Sequence, residues 1–292
     1  MTARMTTHRT SLIACVAALL VLTAALLMTA AACQQRRSSY QQAVRLSASG
    51  NAAEAYRIFD GLGDYRDAAE RAAALAQADP ALPYRDSQKG DVIAFGAYEQ
   101  DGDAADGAEP VEWFVLDRID DRLLLLSVDC LASRRYNAEP FASVTWEDSE
   151  LRTWLNDAFL QAAFSPTERQ IIRATRLRND DQSVVGTDGG VDTTDRVFAL
   201  SHTEALIYLH DDADRDYLGR AAASDAAATG QAYVDADGMA DWWLRSPGGY
   251  PYAAQYVSTT GETAEAGAYV DAEYGVRPAL WLDVSEAGDG EP

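Results

Sequence analysis

Histidine and cysteine are scarce in this sequence, with three of each among 292 residues. A zinc site needs three or four ligands of histidine, cysteine or acid type, and a hydrolytic triad needs a histidine beside its nucleophile. Beyond the first ten residues the histidines are His202 and His210, both on one short predicted helix. Ser201, next to His202, is explained as the cap of that helix. The composition therefore argues against zinc chemistry and against a Ser-His hydrolase.

Positive charge is also in short supply. Lys and Arg number 24 against 46 Asp and Glu, and the formal net charge is −22. Such a surface repels the phosphate backbone, so a nucleic-acid partner is not expected. It repels anionic lipid as well. Any membrane attachment must therefore come from an anchor.

The N-terminal segment, residues 1–33, predicts export. A basic start is followed by a run without charge from Leu12 to Ala32, typical of a signal. The end, Ala30-Ala31-Ala32-Cys33, resembles a bacterial lipoprotein signal, which makes Cys33 the candidate lipidation site. Ordinary cleavage after Ala32 and an uncleaved anchor are the alternatives, since about 20 apolar residues can span a bilayer. All three place the remaining chain outside the cytoplasm, and two of them attach it to the membrane.

The other two cysteines form no disulfide framework. Cys15 lies within the signal, and Cys130 ends the apolar run "LLLLSVDC". A single cysteine in the exported part cannot form an internal disulfide. We expect Cys130 to behave as a small buried apolar residue.

Composition divides the rest of the chain into four parts. Residues 34–78 are rich in alanine and predict helices; their pattern resembles a tetratricopeptide-type hairpin over about one and a half repeats. Because a solenoid needs about three repeats, this segment must pack on something else or act as a stalk. It is then either a plain helical spacer or a hairpin that docks a partner. Residues 79–89 are a linker by their prolines and polar residues. Residues 90–283 form the main domain, and 284–292 an acidic tail.

The main domain shows strand patterns and helix starts in mixed order. The predicted strands are "DVIAFGAYEQ", "VEWFVLDRI", "RLLLLSVD", "DRVFALS", "WWLRS", "AAQYVST" and "GVRPALWLD". Capping boxes predict three helix starts, at Thr145 with Asp148, Ser165 with Glu168, and Ser201 with Glu204. Since strands and helices do not alternate regularly, the fold class is α+β and not a βαβ sheet.

Several motifs carry a family resemblance. In order, "ERQII", "DRVFALSHTEA", "WWLRSP" and "YGVRPALWL" resemble a bacterial domain of unknown function found on exported proteins, over roughly residues 88–283. The last 45 residues more distantly resemble C-type-lectin-like domains and the formylglycine-generating-enzyme superfamily. The resemblance implies a compact α+β fold with long loops over a small twisted sheet. It implies no established activity.

The stretch "DWWLRSPGGYPYAAQYV" supports two interpretations. In the structural one, Arg245 and Arg277 lie between apolar strand residues and act as ion-pair centres, because an unpaired buried charge is costly. In the functional one, aromatic faces and a polar arm surround a groove for a sugar or peptide. The candidate ligand-binding residues are then Trp242, Trp243, Arg245, Tyr250, Tyr252 and Tyr256.

Acidic loops raise the question of calcium, the one cofactor that the sequence leaves possible. Asp101, Asp103 and Glu112 occupy positions 1, 3 and 12 of an EF-hand-like spacing. Asp106 stands where that loop requires glycine, so an EF-hand is excluded. For glycoside hydrolysis by paired carboxylates, Glu112 and Glu147 are the candidates, and both are expected to be solvated.

Three functions follow as hypotheses. The leading one is an envelope-anchored, non-enzymatic module that binds an extracellular glycan, cell-wall polymer or protein. The first alternative is an exported enzyme that acts on envelope glycans through carboxylates. The second is a structural lipoprotein that docks a partner through its helical segment. The scarcity of histidine and cysteine favours binding over catalysis.

Overall fold

The structure is a computed structural model that describes residues 28–209 and 216–286. The chain divides into two compact units, one ending at Pro83 and the other beginning at Tyr84. Most of the predicted signal, with Cys15, lies outside the described residues, and so do His210 and most of the acidic tail. The two units are described separately.

The first unit is helical, as predicted. Its helices are α1 (28–48), α2 (Ala52–Leu62) and α3 (Ala68–Ala78). Gly50, with a φ of +86°, makes the turn between α1 and α2, and the side chain of Asn51 caps α2 by accepting from the Glu54 N–H. Cys33 lies exposed on α1. No helix within the described ranges has the length and hydropathy that a membrane span requires.

A small apolar cluster holds these helices together. Tyr40 of α1 meets Phe59 of α2 edge to face at 5.8 Å between ring centroids, a favourable aromatic geometry. The hydroxyl of Tyr40 donates to the carboxylate of Asp67, just before α3. The buried residues of the cluster are Tyr40, Ala43, Ala55, Phe59, Leu62, Ala68 and Ala72.

The second unit contains two five-stranded sheets. Sheet 1 has the order β1-β2-β3-β12-β7. Its strands are β1 (Val92–Tyr98), β2 (Glu109–Ile119), β3 (Arg122–Ser127), β12 (Ala279–Asp283) and β7 (Val197–Phe198). The hairpin between β2 and β3 turns at Asp120, whose φ is +53°. Aspartate tolerates this left-handed backbone better than most residues.

Gly96 bends β1 over a neighbouring helix. The pairing of β1 with β2 shifts register between Ala94 and Ala97, and Gly96 lies in this bulge with a φ of +70°. A Cβ atom there would approach the Ala163 carbonyl oxygen to 2.5 Å. Only glycine combines that φ with so close an approach.

Sheet 2 has the order β10-β9-β8-β11-β4. Its strands are β10 (Thr263–Tyr269), β9 (Ala253–Val257), β8 (Trp242–Pro247), β11 (Glu273–Val276) and β4 (Ala132–Arg135). β8 and β9 were expected from the sequence, whereas β4 and β10 were not. Both unexpected strands lie at the edges of the sheet. An edge strand has a neighbouring strand on one side only, so its sequence carries a weaker pattern of apolar residues. A separate hairpin pairs β5 (Thr175–Leu177) with β6 (Thr193–Asp195).

The prediction of one strand over "GVRPALWLD" is wrong. The segment forms two strands in different sheets, β11 in sheet 2 and β12 in sheet 1. Arg277 and Pro278 make the crossing between them. Proline lacks the N–H that a continuous ladder requires. The two sheets are therefore joined directly at this point of the chain.

Short helices connect the strands. They are α4 (Glu150–Trp154), a π turn (Leu155–Phe159), α5 (Leu160–Ala163), α6 (Glu168–Ile171), α7 (His202–Leu209) and α8 (Asp225–Ala228). Mixed strands and helices confirm the α+β class. The capping boxes of Ser165 with Glu168 and of Ser201 with Glu204 are both formed reciprocally.

The predicted cap at Thr145 is wrong. Residues Trp146–Asp148 form a 3-10 turn, and Thr145 makes no side-chain cap bond. Ser149 is the cap of α4 instead, since its Oγ accepts the Arg152 N–H at 3.1 Å. Thr145 and Asp148 match the capping-box spacing, whereas Ser149 is followed three residues later by Arg152, and local sequence does not distinguish a 3-10 turn from the first helical turn.

Candidate functional site

The two tryptophans of β8 are core residues. Trp242 and Trp243 are fully buried. Their indole N–H groups donate to the carbonyl oxygens of Gly219, at 3.0 Å, and Arg134, at 2.9 Å. Trp243 also packs on Tyr274 at 4.4 Å between centroids. Because every ring face is covered, neither indole offers a surface to a ligand in this structure.

Arg245, on the same strand, is paired inside the protein. It is 4% exposed and forms a two-pronged ion pair with Glu204, with Nη2 to Oε1 at 3.0 Å. Nη1 also donates to the Ala199 carbonyl at 3.0 Å. Glu204 is at the same time the reciprocal acid of the capping box with Ser201. The pair therefore fastens the start of α7 to the middle of sheet 2.

The pKa of Glu204 reflects a competition between burial and the ion pair with Arg245. Burial raises the pKa of this carboxyl group, while the charge of Arg245 and hydrogen bonds from Arg245 and Ser201 lower it. The net result is a pKa below the ordinary value. Glu204 is thus charged at neutral pH, as an ion pair requires.

Arg277 joins the two sheets, and within the described residues it forms no ion pair with a carboxylate. It is fully buried, and it donates to the carbonyl oxygens of Ser127, at 2.7 Å, and Leu218. Its guanidinium lies 5.1 Å from the ring centroid of Trp242, within cation–π range. Burial lowers its pKa to about 10, so it stays protonated at neutral pH. Among the described residues, carbonyls and rings thus replace the carboxylate expected for an ion-pair centre.

Exposed aromatic rings gather at one end of sheet 2. Phe141, Tyr250 and Tyr269 are 64%, 59% and 54% exposed, and Tyr252 is half-buried among them. Tyr250 and Tyr252 stack with a 1° angle between their planes and 5.4 Å between centroids. Phe141 contacts Tyr252 at 5.6 Å and Tyr269 at 5.5 Å. We call these four residues the aromatic patch.

Backbone hydrogen bonds from three loops hold the patch. The Val270 N–H donates to the Tyr252 carbonyl at 3.1 Å, and the Val144 N–H donates to the Pro251 carbonyl at 3.0 Å. Gly267 lies in a bulge of β10 with a φ of +74°, and a Cβ there would come within 2.4 Å of the Ala254 oxygen. The positions of the rings are therefore set by main chain and not by side-chain packing alone.

Phe141 has an unusual backbone. Its φ is +54°, in the left-handed region that costs a residue with a Cβ about 1–2 kcal/mol. Phe141 is also mostly exposed, so burial of its ring does not fully offset the free-energy cost of this backbone conformation. Strain of this kind is concentrated at functional sites. The strained backbone of Phe141 therefore makes the aromatic patch a candidate functional surface.

The patch contains only part of the predicted ligand set. The structure brings Tyr250 and Tyr252 together, while Tyr256 instead contacts Tyr274 at 4.8 Å. Phe141 and Tyr269 were missed, because one lies in a polar loop and the other at the end of an edge strand. No sequence signal links these two positions. In the described part of the chain, the hydroxyls of the three patch tyrosines make no hydrogen bond.

A group of carboxylates lies near the start of β2. Glu99, Asp101 and Glu109 have oxygens within 4.8 Å of one another and could hold a cation. Each already accepts a backbone N–H, from Gly102, Asp103 and Gln100 respectively. The pKa of Glu99 is raised, by desolvation first and also by Glu109 and Asp101. Calcium, which the sequence left possible, stays a prediction, and of the three carboxylates only Asp101 belonged to the excluded EF-hand-like spacing.

A cleft of about 240 Å³ lies beside this group, lined by Glu109, Glu112 and Asp129 among others. Burial raises the pKa of Asp129, Arg277 lowers it, and the charge of Glu112 raises it further. The net pKa is above the ordinary value. Glu147, the other predicted acid, instead accepts the Val191 N–H at 3.0 Å.

One family comparison gives a match. The family model described as "Domain of unknown function (DUF6273)" matches residues 120–284, which is more than half of the chain. The match runs from the start of β3 to the end of β12 and includes the aromatic patch, Arg245 and Arg277. No curated protein and no solved structure matches the chain.

Proposed function

Because the chain belongs to the DUF6273 family, whose description names no activity, we propose a function from its geometry. It is an envelope-anchored, non-enzymatic module that binds an extracellular glycan, cell-wall polymer or protein on the aromatic patch. The observation that supports this proposal is the patch itself, with three of its four rings more than half exposed. Exposed apolar clusters on a soluble surface are characteristic of interaction sites.

A glycan is the ligand that suits the patch best. Sugars present flat C–H faces for aromatic packing and hydroxyls at their edges, and tyrosine combines a ring face with a polar tip. Tyr250 and Tyr252 offer parallel, stacked rings. The free tyrosine hydroxyls can donate to sugar oxygens. A protein partner would use the same rings as anchors, so the test must include both.

The location outside the cytoplasm belongs to the same proposal. A lipid on Cys33, or an uncleaved N-terminal anchor, would hold the chain at the membrane. The helical first unit would then separate the binding domain from the membrane or dock a partner. The likeness of the last 45 residues to C-type-lectin-like domains belongs to the proposal as well, since the aromatic patch draws on that part of the chain.

Thermal unfolding against a panel of glycans and cell-wall fragments tests the proposal. A ligand at 100 times its Kd adds about 2.7 kcal/mol of stability, which shifts the Tm of a domain of this size by several degrees. The shift should disappear in Tyr252→Ala and persist in Tyr233→Ala. Tyr233 is the matched control, 61% exposed and outside the patch. An equal response of both variants would contradict the role of the patch.

The cleft at Asp129 supports a second candidate, a carboxylate-dependent enzyme acting on envelope glycans. A carboxyl group with a raised pKa beside another acid is the pattern of an acid–base pair. Hydrolysis of the same glycan panel, abolished in Asp129→Asn and retained in Tyr252→Ala, would favour the enzyme. Absence of hydrolysis together with patch-dependent binding would favour the module.

A further inference from the structure

A second cavity, distinct from the aromatic patch, lies at the edge of sheet 2. Its volume is about 290 Å³. Adjacent arginines of β4, Arg134 and Arg135, line it together with Glu273 of β11 and Glu150 at the start of α4. Leu151 contributes an apolar wall. We call this the β4 cavity.

The two guanidiniums of the β4 cavity have spare donors. Arg134 lies over the ring of Trp154 at 4.2 Å, which orients the group without using its N–H bonds. The nearest carboxylate oxygen to Arg135 belongs to Glu273, at 3.9 Å, beyond hydrogen-bond distance. Within residues 28–209 and 216–286, neither side chain donates a hydrogen bond. Each guanidinium carries five donors in a geometry that matches a carboxylate.

The two acids of the cavity are only partly satisfied. Glu150 accepts the Ala138 N–H at 3.2 Å. Glu273 accepts from the hydroxyl of Ser133 at 3.1 Å and from the Gln231 N–H at 3.0 Å. A carboxylate has about four lone-pair sites, so both keep acceptor capacity. Two Arg and two Glu also leave the lining formally neutral, in a chain whose net charge is −22.

We propose that the β4 cavity binds a small zwitterion, an α-amino acid or a dipeptide, with its carboxylate on Arg134 and Arg135 and its ammonium on Glu150 and Glu273. A ligand with only a negative charge would be repelled by the two glutamates, and a ligand with only a positive charge would be repelled by the two arginines. A ligand with both charges avoids this. The volume is near the lower limit of about 300 Å³ for small-molecule pockets, which suits a ligand of this size. The proposal is independent of the aromatic patch.

Isothermal titration of the full-length chain tests it. The probes are glycine, alanine, serine, glutamate, lysine, phenylalanine and dialanine, with N-acetylalanine and alaninamide as singly charged analogues. We expect at least one zwitterion to bind and both capped analogues to bind at least tenfold more weakly. Tighter binding of an amino acid than of dialanine would identify an amino acid as the ligand class, and the reverse would identify a dipeptide. No heat with any zwitterion, or equal binding of N-acetylalanine, would overturn the proposal.

Paired variants locate the binding. Arg135→Gln should weaken binding at least tenfold while the Tm stays unchanged, since an exposed pair at 3.9 Å contributes little. Arg176→Gln is the matched control, because its side chain is 79% exposed and pairs with Asp192 elsewhere. Glu150→Gln should weaken the binding of the zwitterion more than the binding of N-acetylalanine, because N-acetylalanine has no ammonium group. Equal affinities of Arg135→Gln and Arg176→Gln would place the ligand elsewhere and refute the assignment.

Discussion

The two halves of "DWWLRSPGGYPYAAQYV" both contain aromatic residues, but Trp242 and Tyr250 have opposite environments. Trp242 and Trp243 are fully buried, and each indole N–H has a carbonyl partner. Tyr250 is 59% exposed, and its hydroxyl is without a partner among the described residues. The comparison teaches that buried aromatic residues can be recognised by satisfied polar atoms, while a binding surface leaves its polar tips free.

Position in sheet 2 explains the difference. β8 is the third of five strands, with β9 on one side and β11 on the other, so its side chains are covered by neighbours. After Pro247 the chain leaves the sheet through Gly248 and Gly249, and the Gly249 N–H donates to Ala266 at 2.8 Å. This turn brings Tyr250 to the outside of the sheet.

The largest effect is expected at the buried half. Trp243→Ala should cost about 3–5 kcal/mol of unfolding free energy, because it leaves a cavity and an unpaired Arg134 carbonyl. Tyr250→Ala, its counterpart in the exposed half, should change stability by no more than about 0.5 kcal/mol. Urea denaturation of both variants measures this. Similar costs at the two positions would remove the distinction between the halves.

Breaking the Arg245–Glu204 pair should come next. Arg245→Met leaves Glu204 without its cation, and we expect a loss of about 3 kcal/mol, the lower end for a buried pair, because Glu204 is 27% exposed. A double-mutant cycle with Glu204→Gln separates the pair from the lost packing. Additive costs would show that the two residues act independently and would contradict the fastening of α7 to β8.

The same pair predicts a pH dependence. Since the folded pKa of Glu204 is lowered, its contribution is complete above the unfolded value of about 4.3 and is lost as the pH falls through the folded pKa. The urea midpoint of the wild type should therefore drop more steeply below about pH 4.3 than that of Glu204→Gln. Parallel profiles from pH 7 to pH 3 would exclude Glu204 as a source of this dependence.

The remaining stability effect concerns Phe141, where relief of strain and loss of chain entropy oppose each other. Phe141→Gly removes left-handed strain of about 1–2 kcal/mol and adds about 0.5–1 kcal/mol of chain entropy cost. We expect stability to stay level or rise by at most about 1.5 kcal/mol, while the response to the patch ligand is lost. Thermal unfolding with and without that ligand checks both parts. A clear loss of stability would make Phe141 a packing residue.

Local patterns were reliable where local chemistry decides. The capping boxes at Ser165 and Ser201 need only residues three apart, and both are present. The same pattern at Thr145 failed because a 3-10 turn intervenes before Ser149. Similarly, the pattern of apolar residues in "GVRPALWLD" is continuous, although the segment is divided at Pro278 between two strands in different sheets. Such failures arise where a pattern is shared by two backbone conformations.

The α+β class, the helical first unit, the acidic surface and the presence of embedded arginines could be predicted from the sequence alone. These follow from composition and from periodicity over a few residues, which local propensity controls. The tertiary structure, in contrast, buries Trp242 and Trp243 and brings Phe141 and Tyr269 to one surface with Tyr250 and Tyr252. It also brought Arg134 and Arg135 to a cavity with Glu150 and Glu273. Each of these groups draws on separate segments of the chain, and sheet order and loop hydrogen bonds, which no single segment encodes, bring the segments together.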